Sequence, residues 1–136
     1  MREKVQMTAD IIIVYDDGEI VLTKRKYEPF KDFWSLPGGK MENEEMLEIT
    51  AVREAKEETG LDIMITRLIG VYSDPFRDPR GRYISVAYEA KIIGGELKPG
   101  SDAASCIKIA IKDIGDLAFD HNKIVEDYIS SKKINS

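Results

Sequence analysis

The feature that most restricts the fold of this chain is the segment at residues 38–61, which reads GGKMENEEMLEITAVREAKEETGL. Seven of its 24 residues are glutamate. Asn43 is a favourable N-cap residue that would place the next two glutamates in the first helical turn, where the helix dipole stabilises negative charge. Gly60 suits the position just after a helix C-terminus. The segment therefore predicts a helix from Asn43 to about Thr59.

Three glutamates of this predicted helix would share one face. Successive residues turn by about 100°, so Glu57 lies about 60° to one side of Glu54 and Glu58 about 40° to the other. Carboxylates this close repel one another unless a cation neutralises them, and a half-buried cluster without a cation is costly. Oxygen ligands of this kind select Mg²⁺ or Mn²⁺. On the helix alone, however, a solvated charged face is the more common explanation.

The rest of the chain predicts strands on both sides of this helix and a second helix after them. The turn Asp16-Asp17-Gly18 between two β-branched apolar runs is typical of a hairpin. We expect one mixed α/β domain over residues 1–136, with residues 131–136 as a frayed tail. The predicted strands are 9–15, 20–25, 63–72, 83–93 and 106–111, and the second helix, amphipathic by its apolar spacing, is 117–130.

Composition narrows the choice of partners. The chain is 43% hydrophobic and 33% charged, which is typical of a soluble globular protein, and its net charge of −5 disfavours non-specific binding to nucleic acid or an anionic membrane. The start of the sequence has no apolar run long enough for a signal peptide or a membrane span. The only cysteine, Cys106, fits a reducing compartment. We therefore expect a soluble, cytoplasmic protein that binds neither nucleic acid nor a membrane.

The spacing around the acidic helix resembles the Nudix box. Gly39 is followed after five residues by Glu45 and after seven more by Arg53, which opens the sequence REAKEETGL. Every specified position of the box is matched. The preceding WSLPGG, residues 34–39, and the order of elements extend the resemblance over most of the chain. The family implies an α/β/α sandwich on a mixed β-sheet and divalent-cation-dependent hydrolysis of a nucleoside diphosphate linked to a further group.

The resemblance also implies roles for the box residues. Arg53 would hold neighbouring glutamates in position, and Glu45 would support the site rather than ligate metal. The implied metal ligands are Glu54, Glu57, Glu58 and the backbone carbonyl of Gly38.

The chemistry implied is attack of water on phosphorus. The cations would neutralise the pyrophosphate oxygens and lower the pKa of the attacking water. The general base is left open between a helix glutamate and a loop carboxylate. Asp102 is a loop candidate, although Ser105 stands where related sequences often have glutamate.

The loop at residues 73–82 bears on the substrate. It carries Arg77, Arg80 and Arg82. A guanidinium group can bind phosphate through two parallel hydrogen bonds to its oxygens. An ordinary polar connection explains any single arginine equally well. Together with LAFDH at 117–121, the loop resembles the ADP-ribose pyrophosphatase branch of the family, which implies conversion of ADP-ribose into AMP and ribose 5-phosphate.

Several alternatives stay open at this point. Arg25 either helps to bind substrate or is an ordinary strand-end arginine, and a capping or packing role is favoured over catalysis for His121. The substrate could instead be a nucleoside triphosphate, oxidised or otherwise, or a dinucleoside polyphosphate. A non-catalytic nucleotide-sensing module is a further alternative. Homodimers are common in the resembling branch, but no stretch of this sequence establishes one.

Overall fold

In a computed structural model the chain is described over residues 4–98 and 106–134. These residues form a seven-stranded sheet and two α-helices. The strands are β1 (Val5–Val14), β2 (Ile20–Lys24), β3 (Trp34–Ser35), β4 (Gly38–Lys40), β5 (Leu61–Tyr72), β6 (Arg82–Gly95) and β7 (Cys106–Ile109), and the helices are α1 (Leu47–Thr59) and α2 (His121–Ile134). A short 3₁₀ turn covers Ile111–Asp113.

The sheet is mixed, with the order β3-β2-β1-β6-β5. β1 pairs in parallel with β6 along its whole length, while β4 and β7 pair antiparallel with β1 and β2. Ile11, Ile12 and Ile13 in β1 are all fully buried. Such a run on a central strand means that both faces of the sheet are covered.

One helix covers each face of the sheet. Ala51 and Ala55 of α1 are fully buried against one face, where they join a cluster that includes Ile11. On the other face, Ile124 of α2 packs in a cluster with Ile12. This arrangement is the α/β/α sandwich on a mixed sheet that the sequence predicts, so the predicted fold class is confirmed.

The hairpin and the left-handed Gly60 (φ 81°) agree with prediction, but the start of α1 does not. The N-cap is Met46 rather than Asn43. Glu45 therefore precedes the helix, and its carboxylate accepts hydrogen bonds from the Glu42 backbone N–H and the Thr50 hydroxyl. These contacts hold residues 42–45 in a turn and delay the helix.

The second helix is also shifted from its predicted position. It begins at His121 rather than at residue 117 and continues through residues 131–134, which were expected to fray. Residue 117 forms an isolated parallel bridge with Trp34, and the Ala118 N–H donates to the Trp34 carbonyl. Asp102 and Ser105 lie outside the described residues. Across 4–98 and 106–134, neither helix has the length and apolarity to cross a bilayer.

Candidate active site

Two glycines of β4 bring the backbone against the acidic helix. The Gly38 N–H donates to Glu58 Oε2 at 3.2 Å. A Cβ built on Gly39 would stand only 2.5 Å from the carboxyl carbon of Glu54, and one on Gly38 would stand 2.5 Å from Asp10 Oδ1 and overlap the Ala9 carbonyl. Glycine at both positions is therefore what lets α1, β4 and β1 approach so closely.

The pairing of β4 with β1 sets the direction of the Gly38 carbonyl. The Ile11 N–H donates to the Pro37 carbonyl and the Met41 N–H donates to the Met7 carbonyl. Hydrogen-bonded positions alternate along an antiparallel pair, so Gly38 occupies a position whose N–H and C=O both point away from β1. Since its N–H reaches Glu58, the carbonyl faces the same side as that carboxylate.

Glu54 and Glu58 form a half-buried carboxylate pair. Burial and then the charge of Glu54 raise the pKa of Glu58 well above its usual value, and burial also raises the pKa of Glu54. A bound cation would relieve this repulsion. The side chain of Glu57 is 58% exposed, so it joins the pair only at its rim.

The donor set suits a hard divalent cation, although the three carboxylates do not converge on one point. Across the described ranges 4–98 and 106–134, no group of three or more His, Cys, Asp or Glu side chains is arranged to hold a metal ion. The Arg53 guanidinium explains this, because it contacts Glu54 at 2.7 Å and Glu57 at 3.3 Å. Glu54, Glu58 and the Gly38 carbonyl therefore form the inner part of the donor set, and Glu57 stands at its rim.

Arg53 links the helix to the turn before it. Its Nε donates to Glu45 Oε2 at 2.7 Å, and its Nη2 donates to the Lys40 carbonyl at 3.1 Å. The guanidinium holds the pKa of Glu45 at about 2, with help from the Glu42 N–H and the Thr50 hydroxyl. Glu45 contacts this arginine rather than the Glu54–Glu58 pair, which is the arrangement expected of a supporting residue.

A cavity of about 760 Å³ opens in front of Glu57 and Glu58. One side carries Glu57, Glu58 and the two β4 glycines, and much of the remaining wall is cationic. The wall residues with a positive charge are Lys24, Arg25, Lys26, Lys40, Arg77, Arg80 and Lys98. A cavity lined by both carboxylates and cations can bind a phosphorylated molecule through its cations and a divalent metal through its carboxylates.

The chain matches the NUDIX domain over residues 4–128. It belongs to the Nudix family. The family prediction is thereby confirmed, and the box at residues 39–61 lies along the acidic wall of the cavity.

Three relatives show which members of the Nudix family this chain resembles. It is 48% identical over 120 residues to the ADP-ribose pyrophosphatase of Methanocaldococcus jannaschii, across 88% of this chain and 71% of that one. It is 36% identical over 98 residues to a putative 8-oxo-dGTP diphosphatase of Bacillus subtilis, across 71% of this chain and 60% of that one.

The third relative is a solved structure. The bifunctional NMN adenylyltransferase/ADP ribose pyrophosphatase of Francisella tularensis, complexed with AMP and a Mn ion, superposes with a TM-score of 0.79 at 28% identity. The match covers 96% of this chain and 42% of that one, so the likeness extends over less than half of the bifunctional protein. The chain is thus a Nudix hydrolase related to ADP-ribose pyrophosphatases.

Three of the four arginines that the sequence singles out, Arg25, Arg77 and Arg80, line the cavity. Arg80 is held by a bidentate contact with Asp78 at 2.7–3.0 Å. The Arg77 side chain is only 4% exposed and makes a bidentate contact with Asp120, at 2.6 and 2.8 Å. Its guanidinium is therefore occupied in holding the loop against the start of α2.

Arg82 lies outside the cavity. Its Nη1 donates to the Ser73 carbonyl at 2.6 Å and closes the base of the loop. Arg77 and Arg80 of the predicted loop thus lie at the cavity and Arg82 does not, and all three have intramolecular partners that sequence spacing does not reveal.

The sequence analysis missed Asp10, a buried carboxylate beneath the glycines. It accepts a short hydrogen bond from the Ser85 hydroxyl, and its Oδ1 lies 3.6 Å from His121 Nε2. Burial alone would raise the pKa of Asp10, but His121, Ser85 and Arg77 together lower it below its usual value. A lone carboxylate beside the apolar run IIIV is the signal that could have identified it.

His121 ties this network to the box. Its Nδ1 accepts the Leu36 N–H at 3.0 Å, and its side chain is 5% exposed. The histidine therefore fixes the strand that leads into Gly38, which agrees with the predicted packing role.

Proposed function

We propose that this Nudix hydrolase cleaves the pyrophosphate bond of ADP-ribose and releases AMP and ribose 5-phosphate. The observation that carries the proposal is the 48% identity to an ADP-ribose pyrophosphatase over 88% of this chain. The cavity supports it, because about 760 Å³ with an acidic and a cationic wall suits a dinucleotide-sized phosphorylated ligand.

The reaction is proposed to require Mg²⁺, with Mn²⁺ as a substitute. Bound cations would supply charge neutralisation at the pyrophosphate oxygens and a water of lowered pKa. The proposed ligands are Glu54, Glu57, Glu58 and the Gly38 carbonyl.

The chain's own residues have distinct tasks in this proposal. Arg53 fixes the carboxylates of Glu54 and Glu57 through its two contacts, and Glu45 anchors that arginine. Arg25 and Arg80, which line the same cavity, would bind phosphate oxygens and orient the pyrophosphate. Arg77 and Arg82 hold the shape of the loop through Asp120 and the Ser73 carbonyl, and their role as substrate ligands stays a prediction.

A second candidate substrate is an oxidised nucleoside triphosphate. It is favoured by the 36% identity to the putative 8-oxo-dGTP diphosphatase, which spans 71% of this chain.

One assay separates these candidates. The protein is incubated with Mg²⁺ and equal concentrations of ADP-ribose, 8-oxo-dGTP, ATP, NADH and a diadenosine polyphosphate, with EDTA as the metal-free control. We expect AMP release from ADP-ribose to have the highest kcat/KM and EDTA to abolish it. Preferential cleavage of a triphosphate would refute the substrate, and binding without any turnover would favour a sensing module.

A cytoplasmic location and a homodimer remain predictions from sequence and resemblance. Light scattering at micromolar concentration would give the mass in solution, and a monomer would contradict the expected dimer.

A further inference from the structure

Phe119 has an unusual backbone conformation at the cavity wall. Its φ of 53° lies in the left-handed region, which bulky residues rarely adopt. The residues on either side are fixed, since the Ala118 N–H donates to the Trp34 carbonyl and His121 accepts the Leu36 N–H. These contacts hold Phe119 where its side chain lines the cavity.

The Phe119 ring carries two cations. The guanidinium carbon of Arg25 lies over the ring at 4.7 Å from its centroid, and that of Arg80 lies over it at 5.4 Å. Phe30 contacts the same ring, at 4.8 Å between centroids. Phe119 therefore contacts both Arg25 and Arg80 and is itself supported by Phe30, while Arg80 also lies over the Tyr83 ring, at 4.8 Å from its centroid.

The two arginines differ in how their charge is balanced. Arg80 is paired with Asp78. Arg25 donates to the Pro29 carbonyl at 2.7 Å, and in the described part of the chain no carboxylate comes within ion-pair distance of it. Burial and the charge of Arg80 lower the pKa of Arg25. The carboxylates of Asp78, Glu58 and Asp10 act on Arg25 from beyond ion-pair distance, and the Phe119 ring is the element that contacts both arginines.

We propose that Phe119 is a positioning residue that holds Arg25 and Arg80 together as one cationic subsite for the diphosphate of the substrate. This inference rests on the proposed function for the identity of the ligand. The π face attracts both guanidinium groups without using any of their N–H groups, so those not already bonded to the Pro29 carbonyl and to Asp78 can bind phosphate oxygens. Glu57 and Glu58 line the same cavity as the subsite, so a diphosphate bound there could reach both the arginines and the glutamates.

Binding in the absence of metal tests the proposal. The variants are Phe119→Leu, which removes the π face, Phe119→Tyr, which keeps it, and Phe76→Leu, a matched control at a residue that is 89% exposed. Calorimetry in EDTA gives the Kd of ADP and of inorganic pyrophosphate for each variant. We expect Phe119→Leu to raise the Kd of both ligands about tenfold, as the loss of two cation–π contacts implies. Phe119→Tyr and Phe76→Leu should stay within about twofold of the unaltered protein.

A double-mutant cycle with Arg25→Gln shows whether Phe119 acts through the arginines. The Phe119→Leu effect should shrink to about threefold or less in that background, because coupled groups are not additive. Full additivity of the two substitutions would overturn the proposal, as would failure of the unaltered protein to bind ADP. It would also be overturned if Phe119→Leu left the Kd of pyrophosphate unchanged. An effect on ADP alone would indicate direct stacking on the base.

Thermal unfolding separates positioning from packing. A lowered Tm with unchanged Kd values for Phe119→Leu would overturn the proposal by showing a structural role alone. Phe119→Met replaces Phe119→Leu in every comparison if the leucine variant does not fold. Because these measurements need no hydrolysis, failure to cleave ADP-ribose would refute the proposed function and leave the subsite proposal to be decided by binding.

Discussion

Replacing Gly39 by alanine should abolish most of the activity while the protein stays folded. The new Cβ would stand 2.5–2.8 Å from three atoms of the Glu54 carboxylate, whereas ordinary contact begins at 3.4 Å. The carboxylate must therefore move by close to 1 Å. Because it ends a flexible side chain, the backbone need not follow. A displacement of this size in a reacting site costs about 100-fold in rate.

The neighbouring position supplies the contrast. A Cβ on Gly38 would overlap the Ala9 carbonyl and crowd Asp10, and neither the backbone of β1 nor a buried side chain can yield easily. We expect Gly38→Ala to lower the free energy of unfolding by about 3 kcal/mol, at the upper end of overpacking costs. For a chain of this size, that lowers the Tm by about 10 °C.

Gly115→Ala is the matched control, since its Cβ would have no atom within 4 Å. The assay measures kcat for ADP-ribose with saturating Mg²⁺ and the Tm by circular dichroism for all three variants. Gly39→Ala should have a low kcat and a near-normal Tm. A Gly39→Ala enzyme with kcat close to that of the Gly115→Ala control would refute the assignment of Glu54 to the reaction.

Three further predictions concern charged residues. Glu58→Gln should lower kcat by at least about 100-fold with no loss of Tm, because it removes a carboxylate from the metal side and relieves repulsion; near-normal turnover would contradict the metal-site assignment. Arg77→Lys should lower the free energy of unfolding, measured in urea, by about 2 kcal/mol, the contribution of a hydrogen bond to a charged group. Equal effects of Arg77→Lys and of the control Arg82→Lys would argue against the buried Arg77–Asp120 pair. Glu45 has its pKa lowered from 4.5 to about 2 by Arg53, so its contribution to stability is present above pH 4.5 and is lost as the pH falls towards 2. Between pH 4.5 and 2, the Tm of Glu45→Gln should fall less steeply with pH than that of the unaltered protein. Identical slopes for the two proteins would contradict this linkage.

Much of the fold could be predicted because its signals are local. The hairpin turn and the Gly60 cap each depend on a few adjacent residues, and both occur where the sequence places them. The box spacing likewise brings Gly38 and Glu58 together, 20 residues apart. The predicted start of α1 was wrong because the Arg53 and Thr50 side chains, which lie further along the chain, bond to the Glu45 carboxylate and keep this residue outside the helix.

The cationic wall could be predicted only in part. Arg77 and Asp120 are 43 residues apart, and no local pattern indicates that the arginine is already paired. His121 accepts from a backbone N–H 85 residues away. Phe119 reads as an ordinary apolar residue before a helix, since the left-handed backbone that orients it comes from contacts on both sides. Long-range partners of this kind follow from the topology of the sheet rather than from residue spacing.

The parallel pairing of β1 with β6 has a consequence for the order of assembly. Val5 lies beside Arg82 in the register, so this ladder closes a loop of more than 70 residues. The chain loses conformational entropy in closing such a loop before the contacts that stabilise it have formed, and this loss slows folding. A growing chain that has been synthesised to Leu61 already contains the whole Nudix box but lacks Arg80 and Phe119. We therefore expect the motif to be complete well before the cavity, and catalytic competence to be among the last properties that the nascent protein acquires.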